Sequence, residues 1–198
     1  TSFYVAQDAS ERSMFSALGL LPASIAGIDV VKLLEGAAAV ESHFQSAPPG
    51  ENFVFHWAAL FQLAVQQRRH PPELQVWPTG LRGLAPWYNS LACTVLPVDT
   101  GAAKSEDRTD APLVTHVVAD AVRRDRLWLD ESAVDHQGNM AIHPQSFGDL
   151  AQSAILDLQR QQRDAGRPYA TIRLPQVDEA SVGQLLQMFM LATAIQRF

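Results

Sequence analysis

Residues 51–70 constrain the fold of this chain more than any other stretch. They have the length and charge order of a helix: Glu51 opens the segment, and Arg68, Arg69 and His70 close it, the order that the helix dipole favours. Yet Phe53, Phe55, Trp57, Leu60, Phe61, Leu63 and Val65 leave no broad polar face. Such a helix is expected at the centre of the molecule, or covered on both sides. The chain has the means to cover it: 198 residues, 47% hydrophobic and 18% charged, suffice for one domain with a sizeable core.

The rest of the chain alternates between strand and helix. A short strand is predicted at 2–5, followed by a polar loop at 7–12. The apolar segment 13–26 is predicted as a buried helix with Pro22 in an early turn or kink. Gly27 ends it, and Asp29 is the expected N-cap of a helix to about Gln45, with Val30, Leu33, Leu34, Ala37, Ala38 and Val40 near one face. After Pro71-Pro72 the pattern predicts a strand at 74–77, a helix at 81–91 around Pro86 and a strand at 94–98. Residues 99–110, small, polar and charged, read as a long mobile loop. A short strand at 127–129 and polar turns at 130–144 precede a helix capped by Ser146, which runs to about Ala165 and is ended by Gly166 and Pro168. A strand at 169–174 and a last helix capped by Asp178 complete the chain. Strands alternating with helices imply an α/β fold, a three-layer α/β/α sandwich whose mainly parallel sheet is covered on both faces.

Charge and motifs exclude several functions. With 15 Lys+Arg against 21 Asp+Glu the net charge is -6, which argues against a surface built for nucleic acid or for an anionic membrane. The single cysteine, Cys93, can form no internal disulfide and suits a reducing cytoplasm; the start of the chain has neither the basic nor the long apolar region of a signal peptide. A Walker A loop, G-x-G-x-x-G, H-E-x-x-H and G-x-S-x-G are all absent. His136 and His143 lie seven apart beside Asp135, but two loop histidines without a third ligand predict no metal site. Cys93 has no paired base in view and reads as a small buried hydrophobe. Arg123, Arg124 and Arg126 could grip a phosphate, but a solvated turn before the strand at 127 is the simpler and favoured account.

Three stretches carry a family resemblance. FSALGLLPASIAGIDVVKLLEGAAAVESHF (15–44) resembles the segment of glucose-6-phosphate isomerases that follows their Gly-Gly-Arg-Phe-Ser motif. WPTGLRGLAPWYNSL (77–91) is similar to the family's strand and helix ending in a Trp-Tyr pair, and VDEASVGQLLQMFMLATAI (177–195) to a helix shortly before its C-terminal lysine motif. The last is the most specific, since Gly183-Gln184-Leu185 with Met188, Met190 and Ala192-Thr193 exceeds what amphipathic patterning requires. The resemblance implies one sugar isomerase (SIS) domain over 1–198, equivalent to the second half of such an isomerase. It implies a phosphorylated sugar as partner, interconversion of glucose 6-phosphate and fructose 6-phosphate in the complete family, a place in glycolysis and gluconeogenesis, and no cofactor.

The same resemblance implies an incomplete catalytic set. Glu11 falls where the family has its arginine, with Arg12 adjacent and Ser13 keeping the serine. Where the general-base glutamate should follow Tyr88, the chain reads Asn89-Ser90-Leu91-Ala92-Cys93-Thr94, without a carboxylate. The ring-opening Asp-Leu-His-Ser motif falls on Ala111-Pro112-Leu113-Val114, with His116 close by, and the lysine motif would fall past Phe198. Arg12, Ser13 and His116 are therefore the candidate sugar contacts, and His116 is the sole candidate for a catalytic role; its alternative is a helix-start histidine facing solvent. A non-catalytic phosphosugar-binding or assembly domain is the rival function. The partner is expected to be a second copy, as the family's dimers imply, or an N-terminal SIS domain. The helix after Asp178 carries apolar groups on several sides and is expected at or beside the interface.

Overall fold

The computed structural model describes residues 11–68, 71–95, 112–120 and 147–196. The strands expected at 2–5 and 127–129, the loop 99–110, the turns 130–144 with their histidines, the arginines 123–126, the Ser146 cap and residues 96–98 of an expected strand lie outside these residues. Thr94 and Val95 close a helical turn instead, through Thr94 N–H to the Leu91 carbonyl at 3.2 Å and Val95 N–H to that of Ala92 at 3.1 Å.

A 3-10 turn, Glu11–Phe15, leads into α1 (Ala17–Ile25), whose N-cap Ser16 accepts from the Leu18 N–H at 3.2 Å. Gly27, at φ +87°, ends α1 in a Schellman turn: its own N–H reaches the Ser24 carbonyl, and that of Ile28 reaches Ala23. Asp29 caps α2 (Val30–Ser46) through the Lys32 N–H, and Pro48 and Pro49 follow its end. α3 (Phe53–Arg68) begins after Asn52, whose side chain takes the Val54 N–H at 3.1 Å and gives its own N–H to the Phe44 carbonyl at 2.9 Å. Glu51 thus precedes the helix rather than sitting in its first turn. β1 (Glu73–Val76) and a 3-10 turn, Thr79–Leu81, lead to α4 (Leu84–Cys93). Then come β2 (Val114–Ala119), α5 (Phe147–Asp164), β3 (Tyr169–Leu174) and α6 (Glu179–Ile195). Gly166, at φ +66°, ends α5 as Gly27 ends α1, and Asp178 caps α6 through the Ser181 N–H at 2.8 Å.

The three strands form one parallel sheet in the order β1-β2-β3. The register aligns Leu74, Thr115 and Ala170, so these residues share a face with Val76, Val117 and Ile172. That face meets α4 and α6, and its core includes Tyr88, Leu91, Phe189 and Ala192. The opposite face carries Gln75, His116 and Thr171, and α5 lies on it, with Gln159 donating to the Thr171 hydroxyl at 3.1 Å. α2 packs on the far side of α6, and α3 flanks it. Helices on both faces of a parallel sheet make the expected α/β architecture.

Four expectations are corrected. β2, central in the sheet, occupies a stretch for which no strand was predicted, although Val114, Thr115, Val117 and Val118 are β-branched. α1 is not a buried helix: none of its residues is buried. α3 is covered on one side only; Val54, Trp57, Ala58, Phe61 and Ala64 are buried, whereas Phe55 and Leu63 remain exposed. The apolar sides of α6 face inward, with Met188 and Phe189 buried and Met190 and Leu191 half-buried against the core, so α2, α3 and α4 cover what was expected to be interface.

Candidate functional site

In open parallel sheets, ligand sites form beyond the carboxyl ends of the strands. Here Trp77 leaves β1 at that edge, Asp120 follows β2, and Arg173 stands near the end of β3. Trp77 still pairs with β2, its N–H reaching the Val117 carbonyl at 3.1 Å, and Asp120 pairs with β3 through the Leu174 carbonyl at 2.9 Å. The Arg173 guanidinium donates to the Asp120 carboxylate at 2.7 Å, clamping two strand ends together. Both side chains are exposed, so the pair contributes at most about 1 kcal/mol.

His116 lies deeper. It is fully buried in the middle of β2, with Tyr169 edge-on at 6.0 Å between ring centroids. The Trp77 indole N–H donates to its Nδ1 at 3.2 Å, and its Nε2 lies 2.9 Å from the Gln162 Oε1 on α5. An indole can only donate, so Nδ1 must be the acceptor and Nε2 must carry the proton toward Gln162. Both ring nitrogens of the neutral imidazole are then engaged, and none is left for a sugar. The solvent-facing helix-start histidine considered from the sequence is corrected to a buried strand histidine bound within the fold.

Arg12 and Ser13 lie in the 3-10 turn Glu11–Phe15, which packs against α4. The Ser13 carbonyl accepts from both the Ser16 N–H, at 2.9 Å, and the Ser16 hydroxyl, at 2.6 Å. Arg12 and Ser13 thus belong to a turn beside α4, whereas His116 belongs to the sheet face that carries α5. Beyond Tyr88, α4 exposes Asn89, Ser90 and Cys93 and buries Leu91 and Ala92, so the helix offers no carboxylate, and Cys93 is not the buried hydrophobe expected from the sequence.

Tyr88 itself is buried beside Trp57, with rings edge-on at 6.0 Å. Burial pushes its phenol well above the ordinary range, opposed only in part by the Trp57 indole. Neither the hydroxyl nor that indole N–H closes a hydrogen bond of good geometry, so Tyr88 serves as a neutral packing group and not as an acid. Sequence reasoning missed the roles of Trp77 and Gln162. Strand parity would have found Trp77, because the residue after Val76 falls on the face of His116 once β2 is recognised.

No family model matches the chain. It is 24% identical to the glucose-6-phosphate isomerase of Limosilactobacillus reuteri (strain DSM 20016) over 94% of its own length and 44% of that protein's. The corresponding isomerase of Rubrobacter xylanophilus is 26% identical over 92% of this chain and 46% of its own, and that of Leptospira biflexa 22% over 100% and 48%. Among solved structures, a hypothetical protein from Thermus thermophilus superposes with a TM-score of 0.75 at 23% identity, over 94% of this chain and 49% of its own. The chain spans about half the length of the relatives it matches. It is similar throughout to glucose-6-phosphate isomerases, at the identity of a diverged counterpart, and shares its fold with the Thermus protein.

Proposed function

Starting from that similarity, we propose that residues 1–198 act as a phosphosugar isomerase domain of the glucose-6-phosphate isomerase kind, one that contacts the sugar phosphate but does not turn it over alone. The observation that carries this reading is a pairing: similarity over 92–100% of the chain to isomerases, together with an α4 that holds no carboxylate after Tyr88. Aldose–ketose isomerisation needs a base to move a proton between adjacent carbons and an acid to open the ring, and loss of one such group forfeits about 10²–10⁴-fold in rate. With its nitrogens bound to Trp77 and Gln162, His116 is poorly disposed to supply the acid and acts instead as a positioning group for Trp77. Arg12 and Ser13 remain the proposed sugar contacts. A cytoplasmic setting is supported by the lone, unpaired Cys93, and no helix among the described residues is long and apolar enough to cross a membrane.

A purely structural assembly domain is the second reading, favoured by the uncovered apolar residues of α1. A coupled assay that consumes glucose 6-phosphate as it forms from fructose 6-phosphate tests the catalytic half. The expected outcome is no turnover above the blank; a rate proportional to protein and abolished by His116→Ala contradicts it.

A further inference from the structure

α5 is fastened to the sheet differently from α6. Whereas α6 buries Leu185, Leu186, Met188 and Phe189 in the core, none of residues 151–164 of α5 is buried and none joins that core. Ile155 and Leu158 are half-buried, and Leu156 is 53% exposed. The sheet face beneath offers limited apolar surface. β1 presents Glu73 and Gln75 there and β3 presents Thr171 and Arg173, all four exposed, while Val114, Val118 and the Tyr169 ring supply the apolar part.

Polar contacts hold α5 in place. Gln159 donates to the Thr171 hydroxyl at 3.1 Å, and the Arg163 guanidinium donates to the Tyr169 hydroxyl at 2.9 Å. Both bonds join exposed groups, which exchange a protein partner for water at little net cost. The third contact, Gln162 Oε1 at 2.9 Å from His116 Nε2, closes over a fully buried ring whose sheet neighbours Gln75 and Thr171 are exposed. Few apolar contacts and many exposed hydrogen bonds mark the segments of a fold that open at low cost. Residues 165–168, with Gly166 at φ +66°, join α5 to β3 by a short turn about which the helix can swing.

We propose that α5 is a removable cover over His116: it lifts from the sheet while β2, β3 and α6 stay folded, and its departure bares the Nε2–H that Gln162 otherwise holds. The open state presents what the closed state withholds, a neutral imidazole between the Trp77 indole and the Tyr169 phenol. The cover is independent of sugar contact at Arg12 and Ser13 and stands or falls apart from it. Amide exchange of the full chain, read by mass spectrometry, should run about a hundredfold faster in 151–164 than in 185–193. Low denaturant should leave the first rate nearly unchanged and raise the second, since lifting one helix exposes little surface. Diethyl pyrocarbonate, which acylates an accessible neutral imidazole, should modify His116 in the folded chain, as peptide mapping reads. Gln159→Ala, at an exposed position, should raise both that modification and the exchange of 151–164 about two- to tenfold, with 185–193 unmoved. Exchange in 151–164 that matches 185–193 and rises with it in denaturant overturns the proposal. So does exchange of 151–164 at the rate of an unstructured peptide, which leaves no closed cover, or His116 modification that Gln159→Ala does not change.

Discussion

His116 was singled out from the sequence because it lies close to where the family's ring-opening motif falls, but the fold uses it otherwise. The sequence reading placed no strand around it, and only the pairing of β2 with β1 brings Trp77 alongside; no local pattern carries that information. Replacing it with leucine keeps the volume near the original while orphaning the Trp77 indole and the Gln162 amide. A loss of about 2–4 kcal/mol in denaturant unfolding is expected, with a shift in tryptophan emission. Unfolding within ~0.5 kcal/mol of the parent would contradict the buried network. Four helix ends were legible, because caps are local chemistry: Asp29, Asp178, Gly27 and Gly166 all stand where their residue types require. Asp178 adds a pH dependence. The backbone and side-chain hydrogen bonds from Ser181 hold its carboxyl below the ordinary value of 3.8, so its stabilisation is present above about pH 4 and is lost as the pH falls through the lowered value. Asp178→Ala should cost about 1 kcal/mol at neutral pH. Asp178→Asn should keep the cap but flatten the acid limb of a melting-temperature profile; an unchanged acid limb would assign that limb to other groups.

At the scale of elements, the crossing of α2 and α6 organises the molecule. Gly36 lies against the backbone of Ala180, and Gly183 against that of Leu33 and Ala37, so each helix presses a glycine into the other's main chain. A Cβ at either position would overlap a backbone carbonyl, which no side-chain rotation can relieve. Gly36→Ala and Gly183→Ala should each destabilise by about 1–3 kcal/mol or more, and the double variant by less than the sum, because one separation of the helices accommodates both methyls. Gly80→Ala, with nothing within 4 Å of the added carbon and no positive φ, is the control and should change stability little. Additive costs in the double variant would show that the two glycines do not share one crossing. Elements with strong local signals, such as α2, α5, β3 and α6, were legible in the sequence, whereas which side of each helix would be covered was not. α3 and α6 are both apolar nearly all round, yet α6 is enclosed by three helices and α3 keeps an open side. That difference arises from tertiary arrangement and has no counterpart in hydrophobic periodicity.

For the whole molecule, the alternation of strands and helices foretold the parallel sheet, and the three quoted motifs foretold the similarity to isomerases. The candidate site was much less legible. Arg12 and Ser13 were found by motif position and His116 by its closeness to where the ring-opening motif falls, and the three belong to separate elements. A site assembled from separate elements depends on topology, which the spacing of single residues does not encode. Contact of this domain with a phosphorylated sugar is the claim on which its proposed role rests, and titration of the isotopically labelled chain with fructose 6-phosphate tests it most directly. Saturable amide shifts are expected at Arg12, Ser13 and the adjoining residues of α4, with the ring of His116 and the interior of α6 unmoved. A spectrum unchanged at saturating sugar phosphate, or shifts confined to regions away from Arg12 and Ser13, would contradict it.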